Sequence, residues 1–380
     1  MAITEFIKNK KYKIQVYSGY TYINGKKHYN RINEYFYGKK SDAEIRENEL
    51  KNQLRKGNYI DNKSLTYNDL IDEWYKQKAP KLDIKTINSY NGLLIDIRKE
   101  LGHYKATDLK AIIFEKFYNK LRESERHLTE NTILHYYALN NTILNQCTKW
   151  ELIEKNYNSL VERPKPIKKE AKYYDDIEIE ALLKDLDNEP LKYRVLILLA
   201  LDSGCRRGEL TGLNWNDIDF NTSQISITKT TQYLNKKIIE KDHPKNSSSR
   251  RTITIAPLTL SLLELFKEEQ DKQKQLLGDK WENTNKVFTN KTGGLMHPDT
   301  PSKIFNKIQQ KYGLKTLNFH GLRHTSASML ISSNVNMKII SDRLGHASSI
   351  TTDRTYSHIF KKAEIEASNK MAEKYFKAPN

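Results

Sequence analysis

The first sixty residues contain two stretches in which apolar and polar positions alternate. The alternation covers residues 12–17 and again residues 29–37, and the Asn24-Gly25 pair between them is a strong signal for a tight hairpin turn. A Ser-Asp-Ala-Glu capping box beginning at Ser41 predicts the start of a helix. The pattern therefore predicts a small N-terminal three-stranded β-sheet plus a helix.

Apolar positions recur at helical spacing over the next hundred residues. Four helices are predicted, beginning near Thr66, Lys85, Ala106 and Thr129. Pro164 and Pro166 then prevent regular structure and favour an extended linker. We predict a helical domain followed by a linker.

The remainder of the chain is predicted to be mixed α/β but mostly helical. Helical spacing predicts helices over residues 176–186, 191–201, 258–277, 301–312, 321–333, 335–344 and 363–375. Three short strands of one small sheet are predicted over residues 223–228, 237–239 and 251–255. The whole chain is thus predicted to be mainly α and multidomain, with domains 1–60 and 61–163, a linker 164–172, and a domain 173–380.

The composition indicates a polyanionic partner. The 380 residues carry a formal net charge of +17, with a pI near 9.4. Residues 1–60 hold 13 Lys and Arg against 6 Asp and Glu, a net charge of +7. Cations placed on phosphates release condensed counterions, which favours nucleic acid, although a merely basic soluble protein stays an alternative.

Cysteine usage and hydropathy predict a cytoplasmic protein. Cys147 and Cys205 lie far apart, without metal-ligand spacing, which is typical of a reduced compartment. The longest apolar run, Val195 to Leu201, is too short to cross a bilayer. The first five residues lack the charged and apolar regions of a signal peptide, and no membrane partner is expected.

One rare combination of polar residues lies in the last third of the chain. His320-Gly-Leu-Arg323 is followed by Leu-Gly-His346 and then, ten residues later, by Tyr356. The histidines and Arg323 can each donate a hydrogen bond to an anionic oxygen, and a phenol can attack phosphorus. Phosphoryl transfer is mostly positioning and charge stabilisation, so this set suits it.

Two further cations lie upstream in an order that completes a known pattern. Arg206 closes the apolar run, and Lys245 lies in a Ser-rich loop before a predicted strand. The order Arg, Lys, His-x-x-Arg, His, Tyr resembles the tyrosine recombinase (phage integrase) family. The resemblance covers about residues 65 to 360. It extends to the N-terminal domain, which resembles the arm-binding domain of mobile-element integrases, and to the helical domain, which resembles their core-binding domain.

The resemblance implies a role for each cation. Arg206 and Arg323 would bind the two non-bridging oxygens of the scissile phosphate, because a guanidinium bonds phosphate through two N–H groups and stays charged. Lys245 would be the general acid that protonates the leaving 5′ oxygen, with Lys241 and Lys229 as rivals. Glu209 matches a carboxylate common in the family and would hold Arg206, unless it is a helix-surface residue. Arg207 is assigned to the surface or to the DNA backbone.

The resemblance also assigns the nucleophile and its neighbours. Tyr356 would attack to give a 3′-phosphotyrosine, so that resealing needs no ATP. His320 and His346 would donate to the phosphate or accept the proton of Tyr356, and their ordinary pKa of about 6.5 permits either. His324 and His358 flank the motifs and are treated as supporting groups. The arginines and the lysine supply charge, so no metal and no other cofactor is expected.

The resemblance implies a site-specific DNA recombinase that integrates and excises a mobile element or prophage. Its expected partners are double-stranded DNA, at core and arm-type attachment sites, and three further copies in a homotetramer. The resemblance also implies an excisionase and a host DNA-bending protein as further partners. A protein that acts on chromosomal DNA is expected to associate with the nucleoid. The alternatives are a recombinase that resolves chromosome dimers, a type IB topoisomerase, and a non-catalytic DNA-binding regulator.

Overall fold

A β-hairpin and a helix begin the chain in the computed structural model, which describes residues 3–8, 10–23, 26–55, 65–166, 171–242, 250–346 and 348–375. Strands β1 (Ile3–Ile7), β2 (Lys11–Ile23) and β3 (Lys26–Tyr37) form an antiparallel sheet in the order β1-β2-β3, and helix α1 (Lys40–Arg55) follows. The predicted sheet plus helix is confirmed. The Asn24-Gly25 turn lies outside the described residues.

Alternation gives this sheet one apolar face and one polar face. Tyr12, Ile14 and Val16 of β2 are buried with Ala43 and Leu50 of α1 in a small core. Because side chains alternate along a strand, the residues between them lie on the other face. That outer face pairs basic, amide and aromatic residues across the two strands: Lys11 with Tyr37, Lys13 with Tyr35, Gln15 with Asn33, and Tyr17 with Arg31.

Four helices follow as predicted. They are α2 (Tyr67–Lys78), α3 (Ile84–Leu101), α4 (Ala111–Arg122) and α5 (Glu130–Lys149), and their apolar faces share one core. Helix α4 begins five residues after the predicted Ala106. The Ala106 N–H donates to the Leu65 carbonyl rather than within a helix, so the chain is still a connection there.

Contacts between Cα atoms divide the chain into two units, Met1–Ile167 and Lys168–Asn380. The second unit contains eight helices among its described residues: α6 (Asp176–Leu186), α7 (Leu191–Ser203), α8 (Arg207–Gly212), α9 (Pro257–Leu277), α10 (Thr300–Tyr312), α11 (Phe319–Ser332), α12 (Met337–Leu344) and α13 (Ser349–Tyr375). Helix α7 is apolar on nearly every side and lies in the centre of the main core. No helix within the described ranges is long and apolar enough to cross a membrane.

The short strands of this unit form two sheets, so the prediction of one sheet was wrong. Strands β4 (Ile218–Asp219), β5 (Gln224–Ile227) and β8 (Arg251–Thr254) form one sheet, while β6 (Lys229–Leu234) pairs with β7 (Lys237–Asp242) in a second sheet. Asn235 and Lys236 both have positive φ, 49° and 62°, which matches the tight turn of a two-residue hairpin. The turn contains no Gly, so its sequence signal was weak.

The last helix begins earlier than predicted. Helix α13 starts at Ser349 rather than near residue 363, so it includes Tyr356. Tyr356 and Ile359 are buried together with residues of α11 and α12 in a second, smaller core. Tertiary packing therefore adds about four turns of helix to a stretch whose own periodicity is weak.

Candidate active site

A left-handed turn after α7 begins the site. Gly204 has φ +62°, and a Cβ there would lie 2.7 Å from Leu344 Cδ2 of α12. Both the backbone conformation and the close approach require glycine. The turn presents the Gly204 carbonyl to Arg323 and leads directly to Arg206.

Arg206 is held at its backbone N–H and at its guanidinium, and its side chain is partly exposed. Its Nη1 donates to Glu209 Oε1 at 2.9 Å, and its Nη2 donates to the Gly345 carbonyl at 3.2 Å. The Arg206 backbone N–H also donates to Glu209 Oε2 at 2.8 Å. The Arg206 side chain is nevertheless 41% exposed, so it is accessible to a ligand.

Arg323 is the largest fully buried side chain among the described residues, with 1% exposure. Its Nη1 donates to the Gly204 carbonyl at 2.8 Å, whereas its buried Nη2 has no hydrogen-bond partner in the described part of the chain. Burial and the neighbouring Arg206 charge lower the pKa of Arg323 to about 10. An enclosed cation with a spare N–H beside a second cation is suited to an anion.

Glu209 is buried, at 1% exposure, so it is not a helix-surface residue. It pairs with Arg206 and also with Arg251, whose Nη2 lies 2.8 Å from Glu209 Oε2. Burial alone would raise the pKa of Glu209, but the hydrogen bond and charge of Arg251, with the charge of Arg206, lower it to about 2. Glu209 is therefore a carboxylate that orients two guanidiniums.

Arg251 is a site residue that the sequence did not single out. Its Nε donates to the Arg343 carbonyl at 2.8 Å, near the end of α12. It is the first residue of β8 and lies six residues after Lys245 in the sequence. The adjacent Arg250-Arg251 pair was the only available signal, and it did not show which arginine turns inward.

The two histidines of the motif lie close to both arginines. Helix α11 contains His320 in its first turn, and His346 follows the left-handed Gly345 that ends α12. Partial burial, then the charges of Arg323 and Arg206, lower the pKa of His320, and the same causes lower the pKa of His346 to about 4. Both rings are therefore neutral at pH 7. His346 Nδ1 is 2.7 Å from Thr352 Oγ1, which orients its ring.

Tyr356 is completely enclosed, at 0% exposure. Its Oη lies 2.9 Å from His324 Nδ1, and the two rings meet edge to face at 5.6 Å. Burial raises the pKa of Tyr356 to about 12, although Arg323 and Arg206 act in the opposite direction. The sequence predicted only a supporting role for His324. Among the described residues, however, its ring nitrogen is the group that forms a hydrogen bond with the Tyr356 hydroxyl.

The structure brings together Arg206, Glu209, His320, Arg323, His346 and Tyr356, and it leaves Lys245 outside the described residues. Of its rivals, Lys229 is paired with Glu240 at 2.9 Å, which raises its pKa. Arg207 forms an ion pair with Asp299 at 2.8 Å. The His358 side chain is likewise not among the described parts of the structure. Within the described ranges no three His, Cys, Asp or Glu side chains are placed to hold a metal ion.

The residues of this site that the structure brings together lie within a segment that matches a known family. The sequence pattern of the phage integrase family matches residues 172–363, half of the chain. The chain belongs to the phage integrase family. The family prediction is confirmed, and this integrase is a tyrosine-type site-specific DNA recombinase.

Two relatives match this integrase over nearly its whole length. The tyrosine recombinase XerC-like protein of Caldanaerobacter subterraneus subsp. tengcongensis is 29% identical over 393 residues, covering 96% of this chain and 97% of that protein. The ICEBs1 integrase of Bacillus subtilis is 25% identical and covers 96% of this chain and 98% of its own. The solved Tn1549 transposon integrase has the same fold, with a TM-score of 0.68 at 19% identity, over 80% of this chain and 99% of that one.

Proposed function

We propose that this recombinase integrates and excises a mobile element by cutting and rejoining DNA through a 3′-phosphotyrosine. Its relatives support the mobile-element assignment, since one is the ICEBs1 integrase and another is a transposon integrase. That transposon integrase was solved in complex with a circular intermediate DNA, which supports double-stranded DNA as the partner here.

The buried Arg323 Nη2 is the observation on which this proposal rests. This N–H is buried and has no hydrogen-bond partner among the described residues. Removing such a group from water without a new partner costs about 1–3 kcal/mol of free energy, and more when the group is charged. A non-bridging phosphate oxygen would satisfy it, and Arg206 would take the second such oxygen. Glu209 would hold Arg206 in place for that contact.

The remaining polar groups complete the phosphate site. As neutral imidazoles, His320 and His346 would donate hydrogen bonds to the phosphate without adding charge to two nearby arginines. Lys245 would protonate the leaving 5′ oxygen. Arg206 and Arg323 would provide the charge stabilisation, so the reaction would need neither a metal nor ATP.

Tyr356 would be the nucleophile. Its hydroxyl is enclosed in this structure, so phosphorus cannot reach it until the start of α13 shifts. DNA binding would have to uncover the side chain. Such a requirement would restrict cleavage to assembled complexes.

The other elements would bind and align the DNA. The N-terminal sheet would bind arm-type sites, and the helical domain would clamp the core site together with the catalytic domain. We propose a homotetramer on two duplexes, assisted by an excisionase and a host DNA-bending protein, in the cytoplasm at the nucleoid.

Trapping the covalent intermediate tests this function. We expect Tyr356→Phe to bind a nicked suicide substrate, made from the DNA junctions that flank the gene in its genome, yet to form no protein–DNA adduct. Tyr375→Phe is a matched control because Tyr375 lies on the same helix with 65% exposure, and it should form adduct normally. An adduct with the Tyr356 variant would refute the assignment. Relaxation of supercoiled plasmid by the monomer would instead favour a topoisomerase.

A further inference from the structure

The phenol of Tyr356 has one hydrogen-bond partner among the described residues, and it is neither of the two motif histidines. The distance from its Oη to His324 Nδ1 is 2.9 Å. His320 instead contacts the ring of His324, with centroids 4.8 Å apart, and His346 Nδ1 is bonded to Thr352. His324 therefore contacts both the phenol and His320.

Attack by Tyr356 requires a base at this position. An enclosed phenol is almost entirely protonated at neutral pH, and its proton must leave as the bond to phosphorus forms. A general base has to lie within hydrogen-bond reach, about 2.6–3.2 Å between heavy atoms. His324 Nδ1 satisfies this distance, and in the tautomer with its proton on Nε2 it accepts the phenolic O–H.

We propose that His324 is a further catalytic residue of this site, the proton acceptor for Tyr356, which rests on the function proposed above. As the Oη–phosphorus bond forms and the phosphorus–O5′ bond breaks, the phenolic proton moves to His324 Nδ1. The leaving 5′ oxygen takes its proton from Lys245. Resealing reverses each transfer, so the imidazolium returns its proton to the phenolate of Tyr356 when the 5′ hydroxyl attacks.

The position of His324 on α11 favours this role. It directly follows Arg323, so the helix turn that would bind the phosphate also contains the base. His324 and Tyr356 would have to keep this hydrogen bond while the start of α13 shifts. A bound phosphate would supply negative charge near an imidazolium at His324, which directly follows Arg323.

His324→Asn separates hydrogen bonding from proton transfer. The Asn Oδ1 can accept the phenolic hydrogen bond near the former Nδ1 position, but an amide does not take up a proton at neutral pH. Under single-turnover conditions with saturating protein, we expect adduct formation to slow by about 10²–10⁴-fold while DNA affinity stays unchanged.

Replacing Tyr356 with a fluorinated tyrosine makes the test independent of folding. Fluorination lowers the phenol pKa, so a protein without a base benefits more than one with a base. The measured quantity is the rate with fluorotyrosine divided by the rate with tyrosine, within each variant, because this ratio cancels the fraction of active protein. We expect a larger ratio in His324→Asn than in the parent protein.

His346→Asn is the matched control, since it removes the other Nδ1-bonded imidazole of the site. It should slow cleavage yet keep the parental ratio. An unchanged ratio in His324→Asn, or a cleavage rate equal to or faster than the parental rate, would overturn the proton-acceptor role. Faster cleavage would show instead that the hydrogen bond to His324 holds the phenol in its enclosed position. Adduct formation by Tyr356→Phe would refute the proposed function itself, so the two failures are distinguishable.

Discussion

Arg251 connects three parts of the active site through one guanidinium. It bonds Glu209 from β8 and donates to the Arg343 carbonyl of α12, while Glu209 in turn holds Arg206. Lys245 lies six residues before Arg251 in the sequence. We therefore regard Arg251 as a positioning residue that holds Glu209, and through Glu209 the side chain of Arg206.

Substitution of Arg251 should produce a pH-dependent loss of stability. Arg251→Gln removes the main cause of the low pKa of Glu209, which is about 2 in the folded protein against an ordinary value of 4.5. A depressed carboxylate pKa adds stability above about pH 4.5, and that stability is lost as the pH falls towards 2. The variant should be less stable by roughly 3 kcal/mol at pH 7, since one pKa unit is about 1.4 kcal/mol.

Urea unfolding of both proteins between pH 7 and pH 2 measures this difference. The deficit of the variant should shrink below pH 4.5, because Glu209 then becomes protonated in the unfolded state of both proteins. Arg207→Gln serves as control, since its half-exposed ion pair with Asp299 is worth about 0–1 kcal/mol. A deficit that stays constant over the whole pH range would contradict the role of Arg251.

At the scale of elements, the N-terminal hairpin has a face suited to DNA. The outer face combines Lys11, Arg31, Tyr17, Tyr35 and Tyr37 with two amide side chains, and the inner face packs on α1. Lys11 Nζ lies 4.8 Å from the Tyr35 ring centroid. A two-stranded ribbon fits the major groove, where Arg, Asn and Gln distinguish base edges.

We predict that Arg31→Ala with Tyr35→Ala impairs binding of arm-type sites without impairing core chemistry. Each lost specific contact should cost about 1–3 kcal/mol on DNA that includes those sites. Adduct formation on a core-only duplex should stay at the parental rate. Lys51→Ala, which removes one charge from α1, is the control. Equal loss on both duplexes would show that this face has no separate DNA site.

At the scale of the whole molecule, two units and a net charge of +17 suggest DNA contacts spread along the chain. Binding that releases counterions weakens with salt, and the slope of log K against log salt is about −0.9 per phosphate contacted. Extra contacts by the N-terminal sheet should steepen this slope.

The full chain should therefore show a steeper salt dependence on a duplex with arm and core sites than on a core-only duplex. Titrations from low to physiological salt, with both duplexes cut from the element's own junction, measure the two slopes. Indistinguishable slopes would mean that the N-terminal sheet makes no phosphate contacts on the arm sites.

The sequence by itself determined the features that depend on neighbouring residues. Helix α6 has the predicted bounds, 176–186, because capping and periodicity are local rules. The order of the six motif residues likewise indicated the family and the expected chemistry. The types and the spacing of these residues are properties of the sequence and do not depend on how the chain packs.

Only the tertiary structure decided which side chains meet. His324 contacts Tyr356 across 32 residues, and Arg251 contacts Glu209 across 42, and no periodicity encodes such pairs. The start of α13 depends on packing against α11 and α12. The β6–β7 hairpin forms around a turn without glycine, which gave only a weak sequence signal. These contacts form because burial of apolar surface aligns α7, α11, α12 and β8, and the polar side chains must then find partners in the interior that results.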